Sequence, residues 1–318
     1  MEASILPGLK FKTSYSGDYR NINRNFYTNP LFGDDAPIRG TVSRNNNRQY
    51  TYTWNNIFTY EKTINEDHNL SLLGGHEFYS RNIREISGSR QGFVLPEFYE
   101  PDAAAQLNGF NGFADNYRLL SFFGRAEYNY KNKYFFSGSL RTDGSSRFSP
   151  ETRWGTFWSV GGSWRATKED FLNDSPWLNN LTFRASYGAQ GNDDIGTYYA
   201  YEGLYAIYNN LGENGLVTKR ISTPDLKWET NLNLNVGLDF GIFKDRISGT
   251  IEYFNRASQN LLFSLPKALS TGFKSIDANI GALKNTGIEV QINAIPVMTR
   301  DFKWTFSINA TQIGRAHV

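Results

Sequence analysis

The sequence predicts an all-β fold: a transmembrane antiparallel β-barrel with long extracellular loops and short periplasmic turns. Three observations carry that prediction. Side chains alternate with a period of two along most of the chain, the connections alternate between long and short, and aromatic residues reach 16% in a chain whose mean hydropathy is −0.52. A soluble core leans on Leu, Ile and Val; rings in a polar, glycine-rich chain (Gly 29, Pro 10) instead suit strands with one lipid-facing side. No apolar run approaches the roughly 18 residues of a membrane-spanning helix.

Taken in order, alternating stretches occur at 9–19, 50–60, 70–79, 120–129, 134–140, 156–166, 181–187, 231–240, 247–253, 288–294 and 304–310. The clearest is 231–240, where Leu232, Leu234, Val236, Leu238 and Phe240 share one face and Asn231, Asn233, Asn235, Gly237 and Asp239 the other. Ile288, Val290, Ile292 and Ala294 alternate with Glu289, Gln291 and Asn293. This gives about eleven strands, many with the roughly 9–11 residues that cross a bilayer at a tilt. The gaps at 20–47, 83–116, 143–153, 191–227 and 260–284 are long, and those at 62–67, 131–133, 241–245 and 296–301 are short. An intermediate gap at 167–179 suggests a helical turn over 168–172. Tyr128, Tyr130, Tyr134 and Phe136 flank a short turn, while Tyr50, Tyr52, Trp54, Trp154 and Trp158 begin strands that leave long gaps. Both sets suit interface girdles, where one end of the ring is apolar and the other wet.

Charge and motifs narrow the function. Lys+Arg 33 against Asp+Glu 31 gives no basic excess, so no nucleic-acid partner is expected. Without Cys there is no disulfide framework and no thiolate site. The nucleophile elbow, phosphate loop, dinucleotide glycine pattern and His-Glu-x-x-His are all missing, so no enzyme, cofactor or metal is expected. His68, His76 and His317 are isolated; His76 reads as a rim or lumen residue. Asp34–Asp35 and Asp193–Asp194 read as solvated turn residues in preference to Ca²⁺ ligands. Arg125, Glu127, Arg184, Asp239, Glu252 and Glu289 fall on the polar face, where they solvate a lumen wall, pair across strands or meet substrate. Tyr198, Tyr199, Tyr201, Tyr205 and Tyr208 crowd one long loop and are the candidate contacts for a sugar-like substrate or a lid protein. The Asp143-Gly144-Ser145-Ser146-Arg147-Phe148 stretch reads as a structured turn, Asp-Gly suiting positive φ.

Several stretches then resemble a known family. Pro7-Gly8-Leu9-Lys10-Phe11-Lys12, the block 123–130 (Phe-Gly-Arg-Ala-Glu-Tyr-Asn-Tyr), the strand 134–141 after its turn, the run from Asp143 to Phe148 and Arg153-Trp154-Gly155-Thr156-Phe157-Trp158-Ser159 are similar to SusC/RagA-type TonB-linked outer-membrane transporters. Tyr187-Gly188, Gly191-Asn192, Asn285-Thr286-Gly287-Ile288-Glu289 and Trp304-Thr305-Phe306 follow in the same order. The resemblance implies about half of a 22-stranded barrel, a class with a plugged lumen. It implies a Gram-negative outer-membrane location, import of glycans or peptides with a SusD-type surface lipoprotein, and energy from the TonB complex through an N-terminal region. Residues 1–311 are expected to be barrel, the plug domain to be absent, and residues 312–318 to be a tail that leaves the alternating pattern. Two other readings stay open: a passive porin-like barrel, and a soluble aromatic-rich carbohydrate-binding β module. An upstream plug-encoding region separates the first, and recovery without detergent the second.

Overall fold

The computed structural model describes residues 1–173 and 175–317. Its strands are β1 (Glu2–Leu6), β2 (Leu9–Tyr27), β3 (Thr41–Ile64), β4 (His68–Phe93), β5 (Ala104–Tyr130), β6 (Tyr134–Ser145), β7 (Trp154–Arg165), β8 (Leu178–Asn192), β9 (Leu204–Asn210), β10 (Glu213–Arg220), β11 (Glu229–Ile242), β12 (Ile247–Gln259), β13 (Leu262–Pro266), β14 (Ser275–Asn279), β15 (Ala282–Met298) and β16 (Lys303–His317). Twelve of them form one open antiparallel sheet in the order β1-β2-β3-β4-β5-β6-β7-β8-β11-β12-β15-β16. The remaining four make two separate hairpins, β9–β10 and β13–β14, inside the connections that follow β8 and β12. The sheet thus has one strand more than the about eleven expected. β1 was missed because it is five residues long and precedes the first apolar alternation.

Four strands outrun the sequence reading. β2, β3, β4 and β5 are 19, 24, 26 and 27 residues long, so most of the expected gaps 20–47 and 83–116 are strand. The true connections there are only 28–40 and 94–103. Where both faces of a strand are polar, the ladder of backbone bonds continues while the period-two signal disappears. Tight turns are closed by residues with positive φ: Asn65 and Glu66, Lys131 and Asn132. Two-residue hairpins of the right twist need that geometry, and Asn reaches it most easily. The helical turn expected at 168–172 lies earlier, as a 3₁₀ turn at Ala166–Lys168. The next residues fold back so that the Leu172 and Asn173 N–H groups donate to the Glu169 carbonyl at 2.9 and 2.8 Å.

The chain forms two compact units. Unit 1 is Met1–Thr13, Asn56–His76 and Leu120–Val318, of which Val318 lies outside the described residues; unit 2 is Ser14–Asn55 and Glu77–Leu119. In unit 1 the strand registers put apolar residues in rows. Val236 pairs with Ala185 and Tyr253, and Tyr253 with Ile288; Leu238 pairs with Phe183 and Ile251. These side chains are not a core. Val236 is 46%, Ile251 43% and Ile288 48% exposed, so the sheet presents its apolar face outward. β16 continues to His317, so the backbone ladder runs on past Thr311. Its facing nevertheless inverts: Gln312 pairs with Ile288 in the apolar row and Ile313 with Gly287 opposite. In unit 2 a small core of Val42, Phe93 and Ala104 packs against Tyr27, whose ring meets Phe93 at 5.3 Å and Tyr99 at 4.7 Å.

Candidate functional site

The polar face of unit 1 carries most of the predicted wall charges. Arg184 on β8, Gly237 on β11, Glu252 on β12 and Glu289 on β15 lie in one row across four strands. Arg184 Nε donates to Asp239 Oδ2 at 3.1 Å, and its Nη2 lies 2.5 Å from Glu252 Oε2. Thr250 Oγ1 donates to the other oxygen of Asp239 at 2.7 Å. The guanidinium crosses directly over Gly237, where a Cβ would come within 2.7 Å of Arg184 Cζ. Glycine leaves room here for the guanidinium to lie across the strand, in an element that otherwise disfavours it. Glu289 stands opposite Glu252 and is exposed. Arg125 and Glu127 pair with each other along β5. A cavity of about 690 Å³ lies on this wall, lined by Glu127, Phe135, Ser137, Ser163, Arg184 and Asn235 among others.

At the long-connection end of unit 1, the stretch from Asp143 to Phe148 fastens other loops. Asp143, Gly144 and Ser145 end β6, and Gly144 is not at positive φ as expected; its missing side chain instead admits the Trp154 ring, which a Cβ would meet at 2.9 Å. Arg141 Nε donates to both Asp143 oxygens at 2.7 and 3.0 Å. Ser145 Oγ donates to Asp193 Oδ2 at 2.6 Å, and Arg147 Nη1 donates to the Asp193 carbonyl at 3.0 Å and to Asp194 Oδ1 at 2.7 Å. The Asp194 carboxyl is held below its ordinary range chiefly by the Gly196 N–H, with burial opposing and Arg147 adding to the effect. Ser146 follows in the same turn. Phe148 is fully buried and packs on Trp228 at 5.5 Å, which meets Phe157 at 5.2 Å and donates from Nε1 to the Arg153 carbonyl at 2.8 Å. Trp228 went unremarked in the sequence; a lone Trp in the polar run Pro224-Asp225-Leu226-Lys227-Trp228 was the available signal.

The five loop tyrosines do not form one cluster. The Arg147 guanidinium lies 5.2 Å from the Tyr198 ring, the Tyr199 carbonyl accepts from Arg220 Nη1 at 3.4 Å, and the Tyr201 carbonyl accepts from Ser222 Oγ at 2.9 Å. Burial pushes the Tyr201 hydroxyl up. Tyr205 and Tyr208 instead sit on opposite faces of β9 and are exposed. At the short-turn end, Glu169 accepts from Tyr134 Oη at 2.6 Å and Trp164 Nε1 at 3.1 Å, and pairs with Lys133 at 3.3 Å. Those hydrogen bonds lower its carboxyl below the ordinary range. Asp35 accepts from Thr28 at 2.7 Å. His76, expected at rim or lumen, lies on the outward face with Leu72 by strand alternation; its Nε2 is 2.9 Å from Asn56 Nδ2, and its ring is 6.2 Å from Phe122. His68 lies 2.6 Å from the Tyr128 hydroxyl. Among the described residues no group of three His, Asp or Glu side chains is placed to hold a metal ion.

Residues 5–314 match the family described as "TonB dependent receptor-like, beta-barrel". The chain belongs to that family. This TonB-dependent receptor barrel is 33% identical to the TonB-dependent receptor SusC of Bacteroides thetaiotaomicron, over 96% of the chain and 31% of SusC. It is also 33% identical to the TonB-dependent receptor P39 of Formosa agariphila, over 97% of the chain and 30% of P39. It thus spans about a third of the length of these curated relatives. Among solved structures, the RagAB peptide transporter superposes with a TM-score of 0.93 at 28% identity, over 99% of this chain and 35% of that one. The copper transporter OprC, at 16% identity and a TM-score of 0.57, shares the fold alone. The receptor barrel is accordingly an incomplete antiparallel β-barrel of the SusC/RagA type, with twelve strands in its sheet.

Proposed function

We propose that this chain is part of the membrane wall of a TonB-linked nutrient importer in the outer membrane of a Gram-negative bacterium. One observation carries the reading: the sheet is inside out. Half-exposed Val236, Ile251 and Ile288 occupy one face, while Arg184, Asp239 and Glu252 pair on the other. Water would penalise the first face and hydrocarbon the second, so only a wall between lipid and a wet lumen suits both. Family membership supports import as the task and argues against enzymatic chemistry. On this reading the complete receptor takes up oligosaccharides or peptides. The peptide transporter RagAB, 28% identical, supports peptides. A SusD-type lipoprotein would cover the long-loop end, with Tyr198, Tyr199, Tyr201, Tyr205 and Tyr208 touching lid or substrate. TonB would act from the short-turn end through a preceding region, and outer-membrane lipids would surround residues 1–311, with 312–318 set apart. Transport then proceeds by gating, without a covalent step.

The test is uptake by cells carrying the full-length receptor. Import should stop when tonB is deleted and return with it. Uptake that continued without TonB would favour a passive porin, and a receptor recovered without detergent would favour a soluble module.

A further inference from the structure

We propose that the upper free edge of β5, residues 105–114, binds an extended peptide as an added β-strand. The starting point is unequal strand length. β5 has 27 residues and β6 has 12, and the sheet order places β5 between β4 and β6. The β5–β6 hairpin closes where the Lys133 N–H donates to the Tyr130 carbonyl at 2.9 Å. Its register is fixed higher up: Arg141 Nη2 donates to Ser121 Oγ at 2.8 Å, and the same guanidinium lies 5.4 Å from the Phe123 ring. With Arg141 opposite Phe123, β6 ends at Ser145 opposite Leu119. The chain then turns into β7, the Phe148 N–H donating to the Ser145 carbonyl at 3.4 Å. Above that level β4 is the remaining neighbour among the described residues. Gln91 Nε2 donates to Gln106 Oε1 at 3.3 Å, and the Phe110 ring lies against Gly88. Exposure agrees. Residues 105–108 and 110–114 are all exposed, whereas β11, laddered on both sides, exposes Val236 alone.

An open edge offers a row of backbone N–H and C=O groups to any strand that approaches, and proteins usually blunt it with Lys, Pro or a bulge. Residues 105–114 read Ala-Gln-Leu-Asn-Gly-Phe-Asn-Gly-Phe-Ala, without a charge or a proline. The edge also stands in water. Ala114 lies 16 residues above Tyr130 on β5, about 53 Å along the strand and about 40 Å in height at a tilt near 40°, beyond a hydrocarbon layer of about 30 Å. Its polar groups are therefore hydrated and can exchange water for a partner, whereas hydrocarbon would not tolerate them open. The occupant follows from what the edge presents. Its donors and acceptors repeat about every 6.6 Å, two residues of strand, a ladder that another main chain matches and the ring hydroxyls of a sugar do not. Leu107 and Phe113 flank the edge on one face and Phe110 on the other, all at least half exposed and placed to pack against cross-strand side chains. Ten uncharged residues select extended neutral or apolar peptides, up to about 33 Å of strand.

This site rests on the importer reading above and narrows its substrate to peptides. Full-length receptor in detergent micelles is titrated with a synthetic decapeptide of alternating Thr and Val, and amide hydrogen exchange is followed by mass spectrometry. Exchange across residues 105–114 should slow as the peptide binds. N-methylating the four central residues of the peptide removes donors from both of its edges and should weaken that protection at least about 10-fold in concentration. A linear glucose hexasaccharide, which has no such ladder, should leave these amides exchanging as before. Protection confined to other segments, or equal protection by the methylated peptide or by the sugar, overturns the site. So does an edge already protected before peptide is added, the mark of a second copy or a partner's strand in residence. A receptor whose uptake needs TonB but whose edge ignores the peptide loses only this site. One that imports without TonB, or is recovered without detergent, loses the importer reading itself.

Discussion

Val236→Arg tests the inside-out sheet directly, with Asn235→Arg as its neighbour control. Val236 lies six residues from the Ile242 end of β11 and seven from the Glu229 end. At about 3.3 Å per residue those distances are roughly 20 and 23 Å along the strand. A tilt near 40° reduces them to about 15 and 18 Å of depth, which puts Val236 close to the middle of a hydrocarbon layer of about 30 Å. An arginine there costs about 2–4 kcal/mol, a 30- to nearly 1,000-fold shift toward the unfolded receptor. Asn235 faces the other way, lining the cavity beside Arg184, so Asn235→Arg meets water and mild like-charge repulsion of no more than about 1 kcal/mol. The assay is urea unfolding of full-length receptor in phospholipid vesicles, followed by the heat-modifiable band on a gel. If the two variants lose similar stability, or Asn235→Arg loses more, the facing of the wall is wrong.

Four shorter predictions accompany it. Gly237→Ala pushes the flexible end of Arg184 away from Asp239 and Glu252 and should cost no more than about 1 kcal/mol in the same unfolding assay; in an Arg184→Ala background it should cost nothing. Trp228→Ala empties the contact with Phe148 and Phe157, costing about 3–5 kcal/mol of local packing, and should open residues 192–228 to limited proteolysis. Arg147→Ala should open the same segment at neutral pH. Because the folded Asp194 carboxyl is depressed below its ordinary value of 3.8, its contribution is full above that value and fades as pH falls through the lower folded one; pepsin cleavage of the parent loop should therefore rise only in that acidic window. Glu289→Lys replaces a like-charge pair with an attractive one opposite Glu252, and should raise the urea midpoint by no more than about 1 kcal/mol equivalent.

What the sequence reveals follows from where its two faces differ chemically. β11, β12 and β15 cross from one environment to two, so Leu234, Val236 and Leu238 against Asn233, Asn235 and Asp239 spell out both strand and facing. The upper parts of β2 to β5 carry Asn and Arg outward and Asn, Gln and Glu inward, and a strand wet on both sides leaves no period to read. The wall charges were legible as a set, because parity alone assigns them. Their wiring was not: Arg184, Asp239 and Glu252 come from three strands, and the register that joins them depends on turns whose positive φ residues include Lys244 and Asp245. The fastening of Arg147 to Asp193 and Asp194 was hidden for the same reason, since its partners lie nearly fifty positions apart.

The Arg184 group is hard to explain as a stabiliser. An ion pair on a wet wall contributes about 0–1 kcal/mol, and Gly237, over which the guanidinium lies, costs a strand interior about 0.5–1 kcal/mol. Those contributions cancel to first order. Glu289, placed directly opposite Glu252, adds repulsion. The sheet does not need the group, because its strands are already joined by continuous ladders from β8 through β16. What the arrangement does achieve is position: one guanidinium and three carboxylates are held at fixed places on the polar wall, two of the carboxylates bound to the arginine and Glu289 left exposed. On the proposed importer reading, a cluster that contributes little to folding yet fixes charge on the polar face would serve as a surface for what passes or fills the lumen and not as part of the scaffold.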